Sequence, residues 1–261
     1  MSETDLFRLD GLVAIVSGGS GAIGSTFAAG LADAGAKVAV LGRSRERGDE
    51  VVSKIISSGA EAMMVEADAT RKADCDRAVG EVVDRFGRVD VLVNAIGGGA
   101  GKVLFEAQEY PEKDWDWILD LNLRSTLLVT QPVVRSMIAA GGGGRIVNVT
   151  SVRGQLGLNA GYSAYVAAKG ALNSLTRQWA TEWAKYGIRV NGIAPTFVDT
   201  PQVAMLLDDA EFKAGVVARI PLGRVGETKD LLGAAVFFAS PASSFVTGQI
   251  LTIDGGLTAT Q

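Results

Sequence analysis

The chain has 261 residues, 48% hydrophobic and 21% charged, with 25 lysines and arginines against 29 aspartates and glutamates for a net charge of −4. That is apolar material enough for one large α/β domain, and the dispersed basic residues leave no electrostatic footprint for nucleic acid. With no histidine and one cysteine, Cys75, the sequence excludes Ser-His and Cys-His nucleophile pairs, histidine-ligated zinc or iron, thiolate clusters and an internal disulfide, so no metal site is expected.

An acid or base must therefore be Asp, Glu, Lys, Tyr or Cys75. The N-terminus lacks the apolar stretch of a signal peptide. No apolar run approaches the ~18 residues that span a membrane. With one cysteine, the expected setting is the cytoplasm.

Residues 12–16 (Leu-Val-Ala-Ile-Val) read as a buried strand, and a helix follows over 23–34. Between them lies Ser17-Gly-Gly-Ser-Gly-Ala-Ile-Gly24, in which Gly19, Gly21 and Gly24 fit G-x-G-x-x-G. Such a turn lets backbone approach a pyrophosphate at a helix N-terminus. Gly18, Ser20, Gly21, Ile23 and Gly24 are the expected cofactor contacts.

A second strand over 37–41 ends in Gly42, Arg43 and Ser44, followed by a helix over 46–57. A NAD site usually carries an acid at this point to hold the ribose 2′-hydroxyl. Arg43 suits a 2′-phosphate instead, with Ser44 beside it and Arg45 and Arg47 adding to the field. NADP is favoured and NAD remains open, since these arginines also read as a solvated helix start.

A third strand over 62–65, a helix over 72–86 and a fourth strand over 89–93 come next. A long helix is predicted over 115–139 and a fifth strand over 144–149. A helix then carries Tyr165 and runs to about 186, before a sixth strand over 189–193. A short helix over 231–238 and a seventh strand over 249–253 complete the pattern. Strand–helix alternation with solidly apolar strands implies a parallel sheet covered on both faces. The fold class is α/β: one doubly wound Rossmann-type domain over 1–261, about seven parallel strands, with ligands beyond their carboxyl ends.

Of the four tyrosines only Tyr165 has a lysine four residues on, Lys169. Positions i and i+4 share a helix face. An ammonium there favours the phenolate and lowers a tyrosine pKa from about 10, as a general acid/base needs. An amphipathic tyrosine beside a solvated lysine is the other reading of the pair.

At this point the chain resembles the short-chain dehydrogenase/reductase superfamily over nearly its whole length. Ser17, Gly18, Ala22 and Gly24 stand in that family's glycine motif, with Ser for Thr and Ala for the middle Gly. The resemblance puts Asp68 and Ala69 beside the adenine, has Asn94 steady the central sheet, and sets Gly97 at the cofactor's border. Asn122, Ser151, Tyr165 and Lys169 match the catalytic tetrad. Pro195, Val198 and Thr200 match positions at the nicotinamide end, and Asp254-Gly-Gly256 the closing motif. Ser151 lies fourteen positions before Tyr165, one more than is common, so Tyr162 competes weakly as the acid/base. Thr196 replaces a usual glycine.

The implied reaction is hydride transfer between nicotinamide and a carbonyl or secondary alcohol. Tyr165 would exchange the proton and Ser151 would bind the substrate oxygen. Lys169 would hold the nicotinamide ribose and depress the Tyr165 pKa, and Asn122 would bind a water linking Lys169 to solvent. Candidates for the substrate pocket are 98–102, Arg153, Gln155, Leu158, Tyr162 and 196–219. Arg153 and Lys102 suit a carboxylate, and the chain weakly resembles the family's sugar-acid and polyol dehydrogenases. A 3-oxoacyl thioester reductase, a catalytically silent cofactor-binding regulator and a structural subunit remain alternatives. Family members commonly form homotetramers, so a homotetramer or homodimer is expected.

Overall fold

The structure, a computed structural model, describes residues 3–99, 103–158 and 161–260. Seven parallel strands form one sheet in the order β3-β2-β1-β4-β5-β6-β7. They are β1 (Val13–Ser17), β2 (Lys37–Gly42), β3 (Ala62–Glu66), β4 (Val91–Asn94), β5 (Gly144–Val149), β6 (Ile188–Pro195) and β7 (Ile250–Ile253). The β1 and β4 strands are buried throughout, as strands covered on both faces must be.

Successive β1 residues point to opposite faces. Ala14 and Val16 join a core with Phe27 and Leu31 of α1 (Ala22–Asp33). Val13 and Ile15 join a second core on the other face with Val79 and Val82 of α3 (Lys72–Phe86). The helix between these two in sequence, α2 (Arg45–Ser57), packs its Val52 and Ile55 into the first core. Val129 and Val133 of α5 (Ser125–Ala140) and Trp179 of α6 (Ser163–Trp183) complete the second. The predicted long helix is two helices, α4 (Glu112–Leu119) and α5, joined by a π-helical turn over Asp120–Arg124. Two short helices unread in the sequence, α7 (Pro201–Leu207) and α8 (Ala210–Val217), follow β6, and α9 (Leu232–Ala239) backs the first core. No helix among the described residues is long and apolar enough to cross a membrane.

The chain leaves β1 to build outward in one direction and returns at β4 to build in the other. The loops after these two strands therefore diverge, and a crevice opens where they part. A buried polar chain stiffens the sheet beneath it. Asn94 Nδ2 donates to Thr130 Oγ1 (3.0 Å) and to Asn148 Oδ1 (2.9 Å), and Asn148 Nδ2 donates to Thr176 Oγ1 (2.9 Å). β4, β5, α5 and α6 are thereby tied together.

Candidate active site

A cleft of about 490 Å³ lies over the carboxyl ends of the strands, running from the glycine turn and α2 past β4 and β5 to α7. Gly18, at φ +79°, turns the chain sharply out of β1, a conformation that costs a residue with a side chain. At Gly24 a Cβ would stand 2.1 Å from the Gly18 carbonyl oxygen, so backbone packs directly on backbone. Gly21 caps α1 without a side-chain bond. The first-turn N–H groups thus stay open toward the cleft, where the helix dipole favours an anion. Ser20, Gly21, Ile23 and Gly24 line that end. The residues present fit a dinucleotide pyrophosphate.

At the ribose end Gly42 stands where an acid would hold a 2′-hydroxyl, and a side chain there would begin 2.6 Å from Ser20 Oγ. Arg43 is exposed. Burial raises the Asp68 carboxyl, but hydrogen bonds from the Thr70 backbone and hydroxyl and the nearby Arg43 leave it below the usual range. Ser44 uses its hydroxyl to cap α2, accepting from the Arg47 N–H at 3.4 Å. Arg45 pairs with Glu66 at 3.1 Å and so adds no free charge. Arg47, Glu50, Val51 and Lys54, one stripe of α2, line the cleft instead. Sequence reasoning named Arg47 and missed the other three, although their i, i+3, i+4, i+7 spacing marks one helix face. Gly18, Arg43, Ser44, Asp68, Ala69, Asn94 and Asn122 stand behind or beside the cleft wall rather than in it.

Ser151 follows β5 in extended conformation. Its Oγ accepts from the Arg153 N–H at 3.1 Å and reaches the Pro195 carbonyl at 3.5 Å. Tyr165 and Lys169 rise from the first turns of α6, and Ser151, Tyr165 and Lys169 share one stretch of cleft wall. Tyr162 lines it as well. Lys169 is 2% exposed, and its Nζ donates to the Val149 carbonyl at 3.0 Å.

The charge relationship within this group differs from the one the i, i+4 spacing predicts. Nζ lies over the Tyr165 ring, 5.7 Å from its centroid, while its hydrogen bond goes to the end of β5. Burial pushes the Tyr165 phenol above its ordinary value, and the groups that pull it back are Ser151 and Arg153, not Lys169. Burial also holds the Lys169 ammonium down at about 8. Tyr162 is raised by burial and likewise lowered by Arg153.

Asn122 sits in the π turn, where widening of the helix releases the Ile118 carbonyl. Its Nδ2 donates to Ile118 and to the Gly98 carbonyl, both at 3.0 Å, and its Oδ1 accepts from the Gly98 N–H at 3.1 Å. These bonds fix the loop after β4. That loop sets Gly97 against the cleft, with its Cβ position 3.0 Å from Asn122 Oδ1 and 3.1 Å from Lys169 Nζ. Asn94, counted among cofactor contacts, faces the sheet interior instead, because its amide is engaged by Thr130 and Asn148.

Arg153, Leu158 and Tyr162 line the far end with Pro195, Thr196, Val198 and Thr200. Gln155 turns away, its Nε2 donating to Thr252 Oγ1 at 3.4 Å. From the predicted segment 196–219, α7 supplies Gln202, Val203 and Leu206 to the wall, whereas α8 stays outside it. Phe197 meets Phe212 edge-on at 5.9 Å, which holds α8 behind that wall. Gln202, unnamed by the sequence, reaches across the cleft toward the Gly97 carbonyl at 3.5 Å. Lys102 lies outside the described residues. Among the described residues no group of acidic or cysteine side chains is placed to hold a metal.

A family model described as Enoyl-(Acyl carrier protein) reductase matches residues 18–258. The chain is 40% identical over 258 residues to a gluconate 5-dehydrogenase of Gluconobacter oxydans (strain 621H), covering 99% of each. It is 35% identical over 253 residues to a 5-keto-D-gluconate 5-reductase of Escherichia coli (strain K12), covering 97% of this chain and 98% of that protein. A crystal structure of a gluconate 5-dehydrogenase from Burkholderia cenocepacia J2315, in complex with NADP and tartrate, superposes with a TM-score of 0.93 at 38% identity, covering 98% of this chain and 99% of that one.

Proposed function

We propose a sugar-acid oxidoreductase function for this chain, which belongs to the short-chain dehydrogenase/reductase superfamily. The reaction is interconversion of a secondary alcohol and a ketone on a small hydroxy acid of the gluconate type, with NADP as the cofactor. The observation that carries it is the convergence of Ser151, Tyr165 and Lys169 on one wall of a cleft whose other end is a bare helix N-terminus. The relatives named for gluconate and keto-gluconate support the substrate class over a thioester, and the assembled trio supports an enzyme over a silent regulator.

The glycine turn and α1 would hold the pyrophosphate, Arg43 and Arg47 would supply charge for the 2′-phosphate, and Pro195, Val198 and Thr200 would take the nicotinamide end. When bound, the nicotinamide supplies or takes up the hydride. The protein's part is positional and protic. Ser151 Oγ hydrogen-bonds the substrate oxygen and stabilises the charge that grows there. Tyr165 Oη gives that oxygen its proton in reduction and removes it in oxidation. Lys169 holds the ribose edge, and Asn122 keeps the Gly97–Gly98 backbone in place.

We further infer a homotetramer or homodimer in the cytoplasm. Phe245 is fully exposed, and Leu251 stands exposed on β7, the free edge of the sheet. Cys75 is buried as a free thiol.

The test is absorbance at 340 nm: NADPH with 5-keto-D-gluconate and NADP with D-gluconate, each repeated with the non-phosphorylated cofactor. Turnover with NADP(H) at a rate well above that with NAD(H) is the expected result. No turnover on any keto- or hydroxy-acid, with cofactor bound, would overturn the reading.

A further inference from the structure

We propose that Arg153 is the anchor for the substrate's carboxylate, so that this pocket selects hydroxy- and keto-acids over neutral polyols and ketoses. The inference rests on the oxidoreductase reading of the same cleft and assigns the residue that sets its specificity.

Arg153 is 8% exposed and lines the cleft beside Ser151 and Tyr165. Its backbone N–H is bonded to Ser151 Oγ, which fixes where the side chain begins. Its guanidinium, however, is poorly used by the protein. Among the described residues Nη2 is buried with no hydrogen-bond partner, and Nη1 makes only a 3.5 Å contact with the Gly157 carbonyl. No carboxylate among the described residues pairs with it. The ionisable groups acting on it are Arg219, of like charge, and the phenols of Tyr162 and Tyr165.

Arg189, also drawn into the structure, is treated differently. It spends Nη1 on the Ser243 carbonyl (2.6 Å) and hydroxyl (2.5 Å) and Nη2 on the Ser240 carbonyl (3.1 Å). That is a structural arginine, satisfied by the chain itself. A buried guanidinium left unpaired costs stability, and in a substrate cleft the missing partner is an anion from outside. Its planar fork suits a carboxylate, which it takes through paired charge-assisted bonds. The Burkholderia relative was crystallised with tartrate, a hydroxy acid with two carboxylates.

The test uses NADPH-saturated protein and two variants, Arg153→Gln and Arg153→Lys. Calorimetric titration with tartrate and with D-gluconate, which the reduced cofactor cannot oxidise, reads binding without turnover, and kcat/KM is compared for 5-keto-D-gluconate and a neutral ketose. In Arg153→Gln both acids are expected to bind about 10- to 100-fold more weakly. The ratio of kcat/KM for acid over neutral substrate should fall by a similar factor. The Kd for NADPH should not move, and Arg153→Lys should recover part of the loss. The melting temperature should stay level or rise, because an unpaired buried charge has been removed; a structural arginine would lower it.

Equal losses on acid and neutral substrates, a lowered melting temperature with those losses, or undiminished acid binding would each overturn the anchor. If the wild type binds tartrate through Arg153 yet reduces no keto acid, the anchor stands and the oxidoreductase reading falls. If the wild type binds neither tartrate nor gluconate, the anchor is refuted whatever the enzyme turns over.

Discussion

Lys169 Nζ is held 3.0 Å from the Val149 carbonyl oxygen, so the lysine in the second turn of α6 is fastened to the last residue of β5. The ammonium stands next to Gly97 of the loop after β4 and over the Tyr165 ring one turn earlier on its own helix. The charge is buried with no carboxylate paired to it among the described residues, and burial holds its pKa at about 8 against an ordinary 10.5.

The sign of the resulting pH dependence is fixed. Between about pH 8 and 10.5 the unfolded chain keeps the Lys169 proton that the folded protein has lost. The unfolded state binds more protons there, so this group makes stability rise with pH across the window. Below it the folded protein carries the full cost of the buried charge, on the order of 3 kcal/mol. Replacing Lys169 with Met removes that cost and forfeits a hydrogen bond of roughly 1 kcal/mol. Urea denaturation at pH 7 should show Lys169→Met more stable by about 1–2 kcal/mol, and the rise between pH 8 and 10.5 should flatten. An unchanged midpoint and slope would refute the assignment.

Tyr165→Phe removes the one proton donor that Ser151 and Arg153 both tune. A general acid of this kind is worth about 10²- to 10⁴-fold in rate. The variant should lose at least that factor in kcat while binding NADPH as the wild type does, read by stopped assay and fluorescence titration. Activity surviving in Tyr165→Phe and lost in Tyr162→Phe would transfer the role to the other phenol.

Arg43→Ala should weaken NADPH by about 10- to 100-fold, the worth of a charge-assisted bond, and leave NADH within a few-fold. The same titration on Arg47→Ala separates two positions. A loss confined to Arg47→Ala places the 2′-phosphate over the first turn of α2, where Arg47 lines the cleft.

Thr176 lies in the sheet-side network, accepting from Asn148 Nδ2 and donating to the Leu172 carbonyl at 2.8 Å. Thr176→Val leaves the buried Asn148 amide short of a partner and should cost roughly 1–3 kcal/mol. Equilibrium unfolding checks it. KM for the cofactor should hold at temperatures where the variant remains folded, since Thr176 does not line the cleft.

The sequence by itself determined the fold class, because short, largely apolar runs such as 12–16 and 37–41 alternate with helical patterns along the chain, and strands buried on both faces belong to a parallel sheet covered by helices. It also named Gly18, Ser151, Tyr165 and Lys169, which the structure places just after β1, just after β5 and in the first two turns of α6. Directions were another matter. Whether the Lys169 ammonium bonds the end of β5, whether Asn122 holds the Gly98 backbone, and whether Arg45 is free or tied to Glu66 each depend on a partner 20 or more residues away. The sheet order that brings β4 and β5 against β1 and β6 supplied those partners. The tertiary structure also left Arg153 buried beside Ser151 without an acid among the described residues, and no local pattern could show that, because ion pairing is decided by residues far apart in sequence.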